Sequence, residues 1–387
     1  MTAETPEHLL DDALLERFRE RAAGYDARNA FFDEDLAELV ERGYLRALVP
    51  AELGGLGWRL EDAVRAQIRL GGAAPATALA VNMHLVWTGV AKVLRDRGDD
   101  GLEFLLRDAA AGEVFGFGIS EAGNDLMLFG SRTVAEPQAD GGYRYTGRKI
   151  FTSLSPAWTR LGTMGLDTTS PDAPKIVYGF VERSAPGIRI LDDWDTLGMR
   201  ASQSRTTVLE GVPAAADRIV RRLDPGPNAD PLIFGIFACF ELFLGAVYTG
   251  IGARALELAI AAARRRRSMK ADGRPLSEDP DIRWRIADAA LAHDAIEPQL
   301  VGLARDVDAL ADHGRFWFAK LAGAKVRATE TAKHVVDQAL RVAGGSSYFA
   351  GDELGRLSRD VLAGVFHPSD DESAHSTIAN AWIGPLA

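Results

Sequence analysis

The chain has 387 residues, 47% of them hydrophobic, 26% charged and 8% aromatic, which is ordinary for a globular enzyme and too long for one simple core. A formal net charge of −11 argues against a nucleic-acid partner, which would ask for a basic face. The single cysteine, Cys239, excludes an internal disulfide and a thiolate metal site, and it points to a reducing compartment.

The first eight residues, Met1 to His8, are polar and acidic without the charged-then-apolar pattern of an export signal, so a cytoplasmic protein is expected. Up to about Gly112 the pattern is helical. Leu9, Leu10, Leu14 and Leu15, then Leu36, Leu39 and Val40, recur at three- and four-residue spacing, and an alanine-rich stretch over 73–93 suits close helix packing. From about Glu113 to Val220 short β-branched and aromatic runs take over, at 114–119, 143–145, 176–181, 188–190 and 206–209. Turn residues such as Asp140-Gly141-Gly142 and Ala185-Pro186-Gly187 separate them, as in an antiparallel sheet. After Pro231 the helical period returns, in long segments around 232–267, 281–312 and 316–343. The most apolar stretch, 231–253, contains Glu241 and several glycines and reads as a buried helix, not a membrane span. The expected fold is α+β: an N-terminal α-helical domain over 1–112, a middle antiparallel β domain over 113–224 and a C-terminal four-helix-bundle domain over 225–387.

Five strings stand in order along this frame. They are Pro50-Ala51-Glu52-Leu53-Gly54-Gly55-Leu56-Gly57, Gly118-Ile119-Ser120-Glu121-Ala122-Gly123-Asn124-Asp125, Gly147-Arg148-Lys149-Ile150-Phe151-Thr152-Ser153 and Trp194-Asp195-Thr196-Leu197-Gly198-Met199-Arg200-Ala201-Ser202. The fifth joins Gly250-Ile251-Gly252-Ala253-Arg254-Ala255-Leu256 and the run Arg264 to Arg267 with Gly344-Gly345 and Arg359-Asp360. Together they resemble the acyl-CoA dehydrogenase family over nearly the whole chain, from Val49 to Gly384. The resemblance implies a bound FAD. Ser120 would stand for the threonine of the family's Thr-Glu-Pro-Gly loop against the flavin, with Asn124 on the substrate side of a loop that here is shorter and lacks the proline. Phe151 would pack on the isoalloxazine ring and Ser153 would bond its N5, a placement suited to an apolar planar ring that gains electron density. Arg266 would reach the dinucleotide's phosphates across a subunit boundary, where a guanidinium fork matches phosphate oxygens. Gly344 and Gly345 would let backbone approach the neighbour's dinucleotide, and Arg341 replaces the family's glutamine just before them.

Dehydrogenating a thioester needs a carboxylate to take the α proton while hydride leaves for the flavin, and burial tunes such a group toward neutrality. Counted from Arg359, the family's usual glutamate position is Pro368. A minority branch carries its base on the helix before the Gly250 stretch. The count lands on Phe240, a residue expected to line the substrate, with Glu241 one position, about 100° of helix, further on. Glu241 stands among Phe237, Phe240, Leu242, Phe243 and Leu244, where an unpaired carboxylate has a raised pKa. It can serve as the base, pair with a buried cation, or lie on the periphery. Asp370, Asp371 and Glu372 form a second acidic set, which also reads as a solvated helix start capped by Ser369. His367 precedes Pro368, and related flavin monooxygenases on this fold use a histidine in that region. His84 reads as pocket lining or core.

The leading expectation is an FAD-dependent dehydrogenase of an acyl thioester, carried on coenzyme A or an acyl carrier protein. It would pass electrons to an electron-transferring flavoprotein and assemble as a homodimer or homotetramer. The alternative is a two-component flavin monooxygenase, favoured by Pro368 where the glutamate should stand. A non-catalytic flavin scaffold is the third.

Overall fold

The computed structural model describes residues 5–386, and Met1 to Glu4, the first part of the polar stretch noted above, lie outside the described residues. Six helices come first: α1 (Pro6–Leu9), α2 (Asp12–Arg28), α3 (Asp33–Glu41), α4 (Leu60–Ala73), α5 (Pro75–Asp96) and α6 (Glu103–Ala110). Helix α2 starts where the Asp11 side chain accepts the Leu14 N–H and stops at Asn29, whose φ of 50° leaves the right-handed region. The Pro/Gly turn before α4 is tight enough that a Cβ on Gly55 would sit 2.0 Å from the Val49 carbonyl oxygen, so only glycine fits.

Eight strands follow: β1 (Phe115–Gly118), β2 (Val134–Pro137), β3 (Tyr143–Thr152), β4 (Arg160–Asp167), β5 (Lys175–Glu182), β6 (Ile188–Ile190), β7 (Arg205–Ala214) and β8 (Ile219–Leu223). They form one sheet in the order β6-β7-β3-β2-β4-β5-β8, with β1 also beside β4. The sheet is mostly antiparallel, except that β1 and β2 both run parallel to β4. Strands β2, β4 and β8 escape the sequence pattern. In β4 the reason is steric: a Cβ on Gly162 would lie 2.3 Å from the Trp87 ring, and one on Gly165 3.0 Å from Ala135, so these glycines mark close approach and not a turn. Trp87 of α5 packs there against Phe117 and Phe180 and ties the helical layer to the sheet.

The last part is helical: α7 (Pro231–Arg265), α8 (Pro280–Asp294), α9 (Ile296–Asp308), α10 (Trp317–Ala343), α11 (Glu353–Asp360) and α12 (Asp371–Ile383). The segment read as one helix over 281–312 is two, broken at Ala295. Helix α7 is the spine. It packs on α10 and on α4 and α5, and the α4 crossing is close because Gly71 meets the Val247 backbone and Gly250 meets the Ile68 carbonyl. Helices α5 and α7 are long and apolar enough to cross a membrane, but 94% and 83% of their apolar windows are buried inside the protein.

Candidate active site

Two adjoining chambers open where the ends of β1 and β3 face α7 and the segment 365–369. They share Phe117, Ser120, Phe151, Phe240, Phe366 and Pro368 as walls. The first, of about 310 Å³, also carries Asn124, Glu121, Glu241 and Ser369. The second, of about 380 Å³, also carries Ser153, Ser204, Trp194 and His367. Mostly apolar concavities of this size with a few convergent polar groups suit a small organic ligand.

The floor of the first chamber is fixed by one carboxylate. Glu121 is buried and accepts from six donors: Lys149 Nζ at 2.6 Å, Ser131 Oγ, the Thr133 N–H and Oγ1, the Arg132 N–H and Asn124 Nδ2. Burial alone would raise its pKa, but the Lys149 charge and these donors outweigh that and hold it below the usual carboxylate range. Lys149, fully buried, also donates to the Met164 carbonyl, and burial pushes it down to about 8. The loop after β1 is therefore rigidly hung from β3, and Asn124 is held by Glu121 and the Gly130 carbonyl.

At the end of β3 the pairing with β7 slips between Lys149 and Thr152. That irregularity puts Phe151 at φ 56° and leaves it 54% exposed, its ring edge-on to Trp194 and one face uncovered. Two residues on, Ser153 Oγ meets Ser204 Oγ at 2.7 Å, and Ser204 Oγ meets Ser202 Oγ at 2.8 Å, a buried chain of hydroxyls ending at the second chamber. Gly198 and Met199 close that chamber from the side. The Met199 N–H donates to Asp360, and Gly198 abuts the Arg359 carbonyl, so two strings far apart in sequence meet here.

Glu241 projects from α7 and is 2% exposed. Its Oε1 accepts the Ser369 N–H at 3.0 Å and the Ser369 hydroxyl at 2.9 Å, while Oε2 is buried with no partner among the described residues. Burial raises its pKa, opposed by Lys325 and by Ser369. Lys325 of α10 makes no bond to it; its Nζ donates to the carbonyls of Gly364, His367 and Ser369. His367 touches the Tyr248 hydroxyl through Nδ1, and burial together with the Lys325 charge pushes it down to about 3, so its ring is neutral.

Of the residues singled out in the sequence, Ser120, Asn124, Phe151, Phe240 and Glu241 come together in the first chamber, and Ser153 and His367 in the second. Others do not arrive. His84 lines neither chamber: it is fully buried, with Nε2 on the Leu45 carbonyl and Nδ1 accepting the Phe115 N–H, so it ties the helical domain to β1 as a core residue. Asp370, not Ser369, caps α12, and Asp371 and Glu372 point to solvent in its first turn, because a helix start is where carboxylates are best solvated and paired with free N–H groups. Arg266, Arg341, Gly344 and Gly345 also line neither chamber. Arg266 holds the carbonyls of Val342 and Ala343 beside Gly344, while Arg341 is exposed and paired with Asp337. The sequence reading missed Lys325 and Ser204, and it took Ser369 for a helix cap where the structure bonds it to Glu241. Lys325 had a signal, since it falls in step with Leu321, Ala324 and Ala328 on the buried face of α10.

An uncovered phenyl face beside a buried serine hydroxyl, in an apolar slot, fits a planar ring with polar edge atoms such as a flavin. Comparison with known proteins agrees. The family model for the acyl-CoA dehydrogenase C-terminal domain matches residues 242–371. L-evernosamine nitrososynthase of a Micromonospora species is 32% identical over 368 residues, 91% of this chain and 84% of that protein. The structure of KijD3 in complex with FMN and dTDP-3-amino-2,3,6-trideoxy-4-keto-3-methyl-D-glucose has a TM-score of 0.83 at 29% identity, covering 100% of this chain and 95% of that one. Butyryl-CoA dehydrogenase of Megasphaera elsdenii shares the fold at a TM-score of 0.84 and 20% identity, over 97% of each chain. The chain belongs to the acyl-CoA dehydrogenase family of flavoenzymes.

Proposed function

We propose that this enzyme is the oxygenase component of a two-component flavin system and oxidises the nitrogen of a primary amine, in an amino sugar or a similar small molecule. The observation that carries this is the second chamber. It holds Ser153 and the open face of Phe151, yet no carboxylate lines it, Pro368 stands where the family's base is counted, and the adjacent His367 is neutral. The likeness to a nitrososynthase and to a structure holding FMN with an amino sugar supports the amine and the mononucleotide. Because Arg266, Arg341, Gly344 and Gly345 line neither chamber, one chain offers a flavin ring site without the dinucleotide set. FAD would have to draw on them from a neighbouring copy in a homodimer or homotetramer.

A reduced flavin held here would supply two electrons to dioxygen, one oxygen atom going to the amine as R–NH–OH and the other leaving as water. The chain's own part is to bind, orient and keep dry. Phe151 gives the ring a face to stack on, and Phe117 and Phe240 would keep water from the space where oxygen is transferred. The Ser153–Ser204–Ser202 hydroxyls can turn to donate or accept at the ring's edge without a net charge. A cytosolic setting, where a flavin reductase can deliver reduced cofactor, belongs to the same proposal.

The test is a coupled assay with a flavin reductase, FMN, NADH, oxygen and a panel of amino sugars and simple amines, read by mass spectrometry. Products heavier than substrate by one oxygen, or the further oxidised nitroso compound, are expected. The second reading is dehydrogenation of an acyl thioester with Glu241 as base and an electron-transferring flavoprotein as acceptor. The raised pKa of Glu241 in the adjoining chamber favours it. Anaerobic bleaching of oxidised flavin by an acyl thioester, with no oxygenated amine in the coupled assay, would replace the first proposal by the second.

A further inference from the structure

We infer that Glu241 is the receptor for the substrate's ammonium group: the first chamber is a cation site, with Oε2 of Glu241 as its anchor and proton acceptor. This rests on the amine proposal for the identity of the cation, but the site itself is argued from charge and contact. Among the residues lining the chamber there is no lysine, arginine or histidine. Its carboxylates are Glu121, already neutralised by Lys149, the exposed Asp125, and Glu241. A phosphate-bearing or carboxylate head would find no counter-charge there.

Glu241 is half used. Two donors from Ser369 fix Oε1, and nothing pairs with Oε2 although it is buried. An unpaired buried acceptor is costly, and a ligand N–H that reaches it recovers that cost. No donor among the described residues is left for that oxygen. Lys325 spends its donors on three carbonyls and faces Glu241 and Asp370, with Glu330 beyond, while Tyr248 and His367 are uncharged. The walls suit a cation as well: Phe117, Phe237 and Phe240 line the same chamber, aromatic rings of the kind a cation packs against. Once seated, an ammonium can pass one N–H proton to Oε2, which leaves a neutral carboxyl, a neutral amine and a free nitrogen lone pair.

Calorimetric titration of the protein as purified with three ligands of one shape tests this: cyclohexylamine, cyclohexanol and cyclohexanecarboxylate. The amine should bind at least about tenfold tighter than the alcohol, the scale of a hydrogen bond to a charged group, and the carboxylate more weakly than either. In Glu241→Gln the amine preference should fall to within about twofold while the alcohol binds as before, which also shows that the chamber is intact. Amine and alcohol binding equally in the wild type, or a variant that keeps the preference, overturns the inference. If the variant does not fold, the wild-type ranking decides, and carboxylate binding as tight as amine overturns it. Absence of amine oxidation leaves the ranking untouched, whereas amine oxidation with a flat ranking removes Glu241 from recognition and leaves the oxygenase proposal standing.

Discussion

The molecule contains two buried glutamates that each have a buried lysine nearby, and the two arrangements are opposites. Glu121 touches Lys149 at 2.6 Å and has every lone pair taken, so its charge is stabilised and its surroundings are locked. Glu241 does not touch Lys325, keeps one oxygen free, and has its charged form disfavoured by burial. A saturated carboxylate builds a wall. An unsaturated one at a chamber is where a ligand gains most, because the protein has left the bond for it to make.

The largest effect should come from breaking the saturated pair. Lys149→Met leaves the Glu121 charge buried without its partner, and urea denaturation should show a loss of about 3–5 kcal/mol. Replacing both, with Glu121→Gln added, should recover a large part of it, since a buried amide costs far less to desolvate than an unpaired charge. Near-equal stability of the single variant and wild type would mean that water reaches Glu121 and that the wall is softer than the contacts indicate.

The next effect is a pH dependence at His84. Burial, opposed by its bond to the Leu45 carbonyl, pushes this histidine down to about 4. The fold thus prefers neutral imidazole, and on acidification the unfolded chain takes up the proton first. The contribution is complete above about pH 6.5 and falls as the pH drops toward 4, by about 3 kcal/mol over that window. His84→Gln offers one N–H and one carbonyl oxygen to the same partners, Leu45 and Phe115, and should flatten that part of the stability curve. Urea midpoints at pH 5 and pH 7 check it, and an unchanged slope would assign the acid sensitivity elsewhere.

How much of this was legible follows the type of partner. Phe151, Ser153 and Ser120 could be found because their neighbours in sequence form recognisable strings, and Glu241 because a lone acid in an apolar helix is conspicuous. What decides the role of each was not legible. The Leu45 carbonyl and Phe115 N–H that claim His84, and the Ser369 N–H that claims Glu241, are backbone groups brought in from elements far along the chain. Strand β4 hid for a similar reason, since Gly162 serves a tryptophan 75 positions earlier, Trp87, and not a local turn. The α+β order itself was readable because apolar periodicity is local.

Glu241→Gln sharpens the comparison from the other side. The amide keeps an oxygen for Ser369 and removes a charge whose burial is unfavourable, so stability at pH 7 should change by less than about 1 kcal/mol. That is well below the cost at Lys149. A loss as large as that of Lys149→Met would show that Glu241 and Lys325 act as a structural ion pair after all.

Effects of about the same size or smaller belong to the acidic run at the start of α12, where three consecutive acids make a tempting catalytic set. Asp370 accepts the Ser373 N–H as the helix cap, so Asp370→Ala should cost about 1 kcal/mol. Asp371 and Glu372 are exposed and line neither chamber, and their replacement by alanine should shift stability by no more than about 0.5 kcal/mol. Ser373 and Thr377 on the same helix do line the first chamber, so α12 forms part of its wall even though its acids do not. Turnover in the coupled assay should therefore respond to Asp370→Ala only through fraying of that first turn, as a raised KM with kcat preserved, and not respond to Asp371→Ala or Glu372→Ala. A fall in kcat from either exposed acid would place a proton-handling group at the helix start and shift the chemistry away from Glu241.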